Sequence, residues 1–356
     1  MNLPAVVHLI HSGGFYGAEH MLLDHILHVP GRHEVLFIQA PAELLVRFSA
    51  AGIRCTSCSG LSAVMRHLRG RAVVLNAHNF KAQVFAWVAA RRLDLPLLLT
   101  QHGFTPRSLK QRLYTRLALA IAGSPGISRV VCVSRALERL HLKHGIPAER
   151  LCVIPNGLPA LSGTSDPGEA EAQAAPRIGF IGRLSSEKGP DLFLDAVIPL
   201  CQARPEVRAV LLGDGPEAPA LGKRLATEHL TQRIELPGYQ DDSQAWLRRL
   251  SVLVLSSRTE GTPLVVLEAM RAGVPIVAFA VGGVPDMLEH ERSALLVPAD
   301  DTKQLQASIA RLLDDPALAQ ALARQAQLRQ VQDYHLPCLA AFWLRLYSQV
   351  SRGQAT

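Results

Sequence analysis

Two carboxylates, Glu260 and Glu268, stand in an E-x7-E spacing within the stretch LVLSSRTEGTPLVVLEAMRAGVPIVAFA, Leu253 to Ala280. Between them lies the turn Gly261-Thr262-Pro263-Leu264, after an apolar run and before a helical pattern. A helix opening beyond the carboxyl end of a parallel strand offers unpaired N–H groups and a positive dipole end, so this turn suits a phosphate. Carboxylates touching that phosphate would repel it, so Glu260 and Glu268 are read as acceptors for sugar hydroxyls at the two ends of a ligand. A second string, Gly182-Arg183-Leu184-Ser185-Ser186-Glu187-Lys188-Gly189, sets two cations five residues apart on a loop leaving a strand. There the planar fork of Arg183 and the point charge of Lys188 bracket a diphosphate.

Weaker signals lie in the amino half. His11-Ser12-Gly13-Gly14-Phe15-Tyr16-Gly17 has two glycines at a strand-to-helix turn, where backbone amides can approach a ligand closely. It lacks the G-x-G-x-x-G fingerprint, which disfavours a dinucleotide enzyme. His102-Gly103-Phe104 follows one strand, and His78-Asn79-Phe80-Lys81 follows another as a source of acceptor contacts.

The elements needed to position these residues follow from periodicity. Val6–Ile10, Glu34–Gln39, Ala72–Asn76, Leu97–Gln101, Val130–Val133 and Cys152–Ile154 read as strands with helical patterns between them. After Ala160 to Pro176, a Gly, Ser, Ala, Pro and acid-rich linker without apolar period, the alternation resumes at Arg177–Ile181, Arg208–Leu212, Ile234–Leu236, Val252–Leu255, a second apolar strand after Gly273-Val274-Pro275, and Leu295–Pro298. Repeated β and α segments predict doubly wound parallel sheets. The expected division is an amino-terminal domain over 1–158, a linker over 159–176, a second domain over 177–330 and a terminal helix over 331–356. Phe342, Trp343, Leu346 and Tyr347 recur along that helix at core spacing.

A chain of 356 residues exceeds a single comfortable core, which agrees with two domains. No run reaches ~18 uninterrupted apolar residues and no basic n-region precedes an apolar segment, so neither a membrane span nor a signal peptide is expected. Of six cysteines only Cys55 and Cys58 form a C-x-x-C, with no second pair to complete a zinc site; all are expected to be idle thiols in a reducing cytoplasm. Residues 1–158 hold 18 Lys+Arg against 7 Asp+Glu, a net of +11, together with 11 of the 14 histidines, while the remainder nets −4. That basic excess fits contact with an anionic membrane or a phosphate-bearing acceptor. Aromatic content of 5% and the lack of a helix-turn-helix or RNA-binding signature argue against nucleic acid.

The E-x7-E run with AMRAGVPIVA and Gly282-Gly283 after it, joined to G-R-L-x-x-x-K-G at Gly182 to Gly189, resembles the retaining glycosyltransferases of family 4. The resemblance spans nearly the whole chain and is strongest from Arg177 to Asp300. It implies the GT-B fold, two Rossmann-like domains facing a central cleft, with the terminal helix crossing back to the first domain. It also implies a nucleoside-diphosphate sugar, UDP- or GDP-linked, as donor. By that resemblance Arg183 and Lys188 hold the diphosphate over the Gly13-Gly14 turn, Gly215 lies near the nucleoside, and backbone around Tyr239 lies near the base. Glu260 and Glu268 serve the two ends of the donor, with Gly261, Thr262, Pro263 and Leu264 binding it between them, and His102 steadies the reactive carbon. Gly14, Lys81 and His102 border the acceptor. The chain departs from the family at Leu158-Pro159, where an Asp often follows the Asn-Gly, and at Asp286, where Glu is common.

The implied reaction retains anomeric configuration by front-face attack, with the departing phosphate taking the acceptor's proton. Arg183, Lys188, Glu260 and His102 carry it, and no separate protein base is derived. No D-x-D motif stands beside the phosphate string, so metal-independent transfer with no cofactor is expected. The acceptor is expected to be a glycan or lipid-linked precursor of cell-surface polysaccharide or glycolipid, met in the cytoplasm at the inner face of the membrane. Two alternatives stand: a GT-B-fold nucleotide-sugar epimerase, and a non-catalytic sugar-nucleotide-binding subunit of a polysaccharide assembly complex. The intact set Arg183, Lys188, Glu260 and Glu268 ranks the transferase first.

Overall fold

The structure is a computed structural model that describes residues 3–103, 109–159 and 175–352. Phe104 and most of the predicted linker, 160–174, lie outside the described residues. The chain divides into two compact units, Met1–Pro159 with His335–Thr356, and Ala160–Tyr334. The terminal helix thus belongs to the first unit, and the second unit runs to Tyr334 rather than to residue 330.

In the first unit, seven parallel strands lie in the order β3-β2-β1-β4-β5-β6-β7. They are β1 (Ala5–His11), β2 (Arg32–Ile38), β3 (Arg54–Cys58), β4 (Val74–Ala77), β5 (Leu97–Gln101), β6 (Ile127–Cys132) and β7 (Leu151–Val153). The helices between them are α1 (Gly17–His28), α2 (Ala42–Ala50), α3 (Leu61–Leu68), α4 (Phe80–Leu93), α5 (Leu109–Gly123) and α6 (Arg135–Lys143). Strand β3, RCTSC, has no apolar period because it is a sheet edge exposed along most of its length. Its alternation puts Cys55 and Cys58 on opposite faces, so they are no ligand pair, and every cysteine is free.

Period-two alternation splits the sheet's residues between two cores. Val7, Leu9, Leu75, Ala77, Leu97 and Leu99 pack on one side with Ala82, Ala86 and Ala89 of α4. Val6, Val74, Leu98 and Val131 pack on the other with Trp343, Leu346 and Tyr347. Those three lie on the terminal helix, Leu336–Arg352, whose neighbour Phe342 is instead 56% exposed and so is not part of the expected core stripe. Each buried aliphatic contributes about 1.5–3 kcal/mol, so this face alone explains why the terminal helix docks here. The registers are Val6 with His33, His8 with Asn76, and Asn76 with Leu98.

The second unit holds six parallel strands in the order β10-β9-β8-β11-β12-β13. These are β8 (Arg177–Ile181), β9 (Arg208–Leu212), β10 (Ile234–Gly238), β11 (Val252–Leu255), β12 (Ile276–Phe279) and β13 (Leu295–Val297). Helices α7 (Pro190–Ala203), α8 (Ala218–Thr227), α9 (Ser243–Leu247), α10 (Leu264–Ala272), α11 (Val284–Met287), α12 (Thr302–Asp314) and α13 (Pro316–Asp333) connect and follow them; the terminal helix is α14. Strand order reverses between β1 and β4 in the first sheet and between β8 and β11 in the second, and crevices at such points are where open α/β sheets bind ligands. No helix among the described residues is long and apolar enough to cross a membrane.

Candidate functional site

At the switch point of the second sheet, the loop after β8 meets the loop after β11. Lys188 Nζ donates to both carboxylate oxygens of Glu260, at 2.8 and 2.9 Å, and Ser257 Oγ donates to Oε1 at 2.6 Å. The Glu260 side chain is only 5% exposed, whereas Lys188 keeps a third of its surface open. The carboxylate thus points inward and the ammonium rims the crevice. A carboxylate has about four lone-pair sites, so one remains on Glu260 for a ligand hydroxyl. Lys188 and Glu260, read from sequence as separate groups for phosphate and sugar, are one charge-assisted pair. Arg183 is exposed on the same loop.

Backbone contacts hold these loops, and the loop after β12, against one another. Gly189 has φ +65°, and a Cβ there would meet the Ser256 carbonyl at 2.1 Å. Gly282 has φ +53°, and its Cβ would meet the Glu260 carbonyl at 1.9 Å. Only glycine permits both the left-handed conformation and the approach. Arg258 then ties the loops together: its guanidinium donates to Asp191 at 2.8 and 2.5 Å and to the Ser186 carbonyl at 2.7 Å. Burial works against the charge on Asp191, but the Arg258 fork outweighs it and holds the carboxyl below its ordinary range. Sequence reasoning missed Arg258 and Ser257, although both stand inside the central stretch; an arginine in a polar loop does not declare its partner.

Helix α10 begins at Leu264 behind Pro263, a cap residue that gives it no side-chain hydrogen bond. Thr262 is buried on the approach to it. Glu268, on the helix's second turn, is buried with Ser243 Oγ at 3.5 Å from its Oε2. Gly261 joins Glu260 to this helix start. Gly215, after β9, donates its N–H to Asp214 Oδ1 at 2.7 Å, and Tyr239, after β10, is exposed. All these residues line the carboxyl ends of the strands of one sheet.

In the first unit the other predicted residues gather at the β1/β4 switch point and beside it. Asn79 clamps the two strand ends: its Nδ2 donates to the His11 carbonyl at 2.6 Å and its Oδ1 accepts from His11 N at 3.3 Å. The same oxygen caps α4 through Ala82 N. Gly13 and Gly14 form the turn after β1, but the Gly14 amide is engaged by Ser12 Oγ at 3.2 Å. The start of α1 is occupied from within, since Glu19 accepts from Tyr16 N at 3.0 Å. Lys81 donates to Gln39 Oε1 at 2.5 Å. Burial, with Lys81 nearby, lowers the His11 pKa.

His102 follows β5 and is tied to His78, with Nε2 3.1 Å from His78 Nδ1. Burial lowers the His102 pKa to about 4, so the ring is neutral near pH 7. Behind it lie His8, His25 and His33, whose ring nitrogens approach within 4.8 Å of one another, the one group among the described residues with metal-ligand proximity. Both His8 nitrogens are engaged by other imidazoles and His25 Nε2 lies 3.0 Å from Tyr347 Oη, so hydrogen bonding accounts for the group without an ion. A depression of about 570 Å³ lined by Arg91, Asp94, Gly126, Arg129 and Gln349 sits where β5 and β6 begin, at the opposite end of the sheet from these residues.

Residues 175–315 match the family described as Glycosyl transferases group 1, and residues 7–160 match Glycosyltransferase Family 4. A D-inositol 3-phosphate glycosyltransferase from Thermobispora bispora is 31% identical over 330 positions, covering 82% of this chain and 75% of that protein. The lipopolysaccharide core biosynthesis mannosyltransferase LpsB from Rhizobium meliloti is 37% identical over 154 positions, 41% of this chain and 44% of that one. The crystal structure of Anabaena Alr3699/HepE in complex with UDP and glucose superposes with a TM-score of 0.87 at 22% identity, covering 97% of this chain and 99% of that one. That last likeness is one of fold.

Proposed function

Since the chain belongs to glycosyltransferase family 4, the group 1 glycosyl transferases, and has the GT-B fold, we propose that it moves a sugar from a nucleoside-diphosphate donor to a glycan or lipid-linked acceptor with retention and without a metal. The observation that carries this reading is the Lys188–Glu260 pair at the β8/β11 switch point, beside the start of α10. A diphosphate at that place meets Lys188, Arg183 and the α10 amides, while Glu260 and Glu268 accept from hydroxyls of the sugar.

In the proposed step the bond between the anomeric carbon and the β-phosphate oxygen breaks, and its electron pair stays on the phosphate. The acceptor oxygen bonds to the same face of the carbon, and its proton passes to the departing phosphate. Negative charge grows on the phosphate as the bond breaks, so preplaced cations and amides act most in the transition state. In this reading His102 and Lys81 serve the sugar and acceptor, with the Gly13-Gly14 turn beside them.

The acceptor reading draws support from α5, which exposes Leu113 (54%) and Leu117 (44%) on a helix that also carries exposed Arg112 and Arg116. Apolar side chains flanked by arginines suit the interface of an anionic membrane. We place the protein accordingly in the cytoplasm, at the membrane's inner face.

The test is a donor panel. Purified protein is incubated with UDP-, GDP- and ADP-sugars and a membrane extract, with chelator present, and nucleotide release and product anomer are followed. One donor should be consumed, with the α- or β-configuration preserved, and Glu260→Ala should abolish it. Inverted product, dependence on added metal, or no consumption of any donor would each defeat a named part of the proposal.

A further inference from the structure

Four histidines run diagonally across the first sheet, one on each of four neighbouring strands or just past its end. His33 is the second residue of β2, His8 is central in β1, His78 follows β4 and His102 follows β5. The registers explain the diagonal. His33 pairs with Val6, so His8 lies two residues further on; His8 pairs with Asn76, so His78 is again two further; Asn76 pairs with Leu98, and His102 continues the series. Steps of two keep every ring on one face of the sheet. That face is the one on which His25 of α1 and Tyr347 of α14 meet His8.

The rings are linked end to end. His33 Nε2 lies 3.0 Å from the Val29 carbonyl, His33 Nδ1 lies 2.9 Å from His8 Nε2, His8 Nδ1 lies 3.0 Å from His78 Nε2, and His78 Nδ1 lies 3.1 Å from His102 Nε2. Successive ring planes differ by only 28°, 24° and 22°, close to the coplanarity that such in-plane bonds need. No hydrogen bond among the described residues falls on His102 Nδ1.

A carbonyl only accepts, and a neutral imidazole has one N–H and one lone pair. The Val29 carbonyl therefore requires the proton of His33 on Nε2. That leaves His33 Nδ1 to accept from His8 Nε2–H, His8 Nδ1 to accept from His78 Nε2–H, and His78 Nδ1 to accept from His102 Nε2–H. The remaining groups around the chain do not compete. His25 meets His8 edge-on, at 77°, and shares its Nε2 with Tyr347 Oη. Tyr347 also accepts from Asn76 Nδ2, and Asn76 Oδ1 accepts from Thr100 Oγ1, so these groups are satisfied among themselves. Burial lowers the pKa of each ring in the chain, which keeps all four in the one-proton form the argument requires.

We infer that His33, His8 and His78 are positioning residues which, anchored on the Val29 carbonyl, hold His102 as its Nε2–H tautomer and leave its Nδ1 bare as a hydrogen-bond acceptor for a substrate hydroxyl. The tautomer assignment stands on the hydrogen-bond geometry of four neutral rings; its value for transfer rests on the function proposed above. His102 then accepts from a donor or acceptor hydroxyl and does not donate to one. Any hydroxyl bound there is fixed in its direction before the reaction, without reorganisation of the ring.

The deciding measurement is two-bond nitrogen–proton correlation NMR of ¹⁵N-histidine-labelled full-length protein near pH 7.5. His102, assigned by its loss in His102→Ala, should show a protonated Nε2 and a bare Nδ1. His78→Phe and His33→Phe, the second at a partly exposed and more tolerant position, should each give a mixed tautomer at His102. Turnover of the active donor should fall about tenfold or more with KM within about twofold, as expected for an acceptor out of place in the transition state. A protonated Nδ1 in the unmodified protein, or a His102 signal unmoved by both variants, would overturn the chain. So would a shift of the His8, His25 and His33 signals on adding one equivalent of Zn²⁺, which would make the group a metal centre. A moved tautomer with unchanged turnover would overturn the positioning role, and His102→Ala, assayed alongside, would show whether His102's own place in transfer falls too.

Discussion

Lys188 and Glu260 are each half of the other's environment. The Glu260 side chain is nearly enclosed, so its charge is tolerable because two oxygens receive Lys188 and one receives Ser257. Removing Lys188 therefore has two separable effects. It strands a buried carboxylate at a cost of about 1–3 kcal/mol in folding stability, and it removes a phosphate cation whose loss costs about 3 kcal/mol at the transition state. Lys188→Ala should lower both the melting temperature and turnover, the latter by roughly a hundredfold. The double variant Lys188→Ala with Glu260→Ala should regain most of the melting temperature and none of the turnover. A thermal melt run beside the donor assay checks this; a double variant as unstable as the single one would show that the pair is not what the enclosed carboxylate depends on. At this scale the sequence exposed the chemical types of both residues, but not that they bond, because a loop's sequence carries no distance to a loop seventy-two residues away.

Helices carry their own legible signals and their own ambiguities. Asn79 caps α4 by accepting from Ala82 N and Ser134 caps α6 by accepting from Leu137 N, the residue types that helix starts favour. Edge strand β3 escaped notice because its residues are polar, a property of its place in the sheet rather than of strand propensity. Phe342 was expected inside on spacing with its neighbours, yet a helix stripe is about 100° wide and Trp343 and Tyr347 define its centre. Helix α5 is the element whose exposed face calls for a partner. Liposome co-sedimentation with vesicles containing anionic lipid should retain the native protein and lose about tenfold in affinity for Leu113→Asp with Leu117→Asp, since two buried aliphatics are worth more than 1.4 kcal/mol. Equal binding to purely zwitterionic vesicles, or no change in the double variant, would remove α5 as the membrane face.

Across the whole molecule, titration is as uneven as charge. His8, His25, His78, His33 and His102 all belong to the first unit, and burial is the leading cause that lowers each of them. Unfolding returns each ring to its ordinary value near 6.5. Below that pH the unfolded chain binds protons that the folded unit refuses, so stability is full above about pH 6.5 and is lost as pH falls toward 4. Each such histidine contributes a slope of up to about 1.4 kcal/mol per pH unit in that window. Glu34, which burial opposes but Arg71 and His67 hold ionised, acts in the same direction at lower pH. Calorimetry from pH 7.5 to 4.5 should show the first unit's transition moving down steeply and the second's much less. A first unit as acid-tolerant as the second would mean that these rings are charged or solvated in the folded state.

The sequence by itself determined what is local. Alternating apolar runs and helical periods placed twelve of the thirteen strands, and the strings Gly182 to Gly189 and Glu260 to Glu268 marked the loops that carry cations and acids. Those features depend on residues within a few positions of one another, where backbone geometry is set by neighbours in the chain. Tertiary structure alone decided what is lateral. Strand order brought the β8, β11 and β12 loops together, Gly189 and Gly282 let them touch, and register aligned His33, His8, His78 and His102 into one chain. Lateral proximity depends on which strands pair and in what register, and that is settled by packing of the whole sheet and its covering helices.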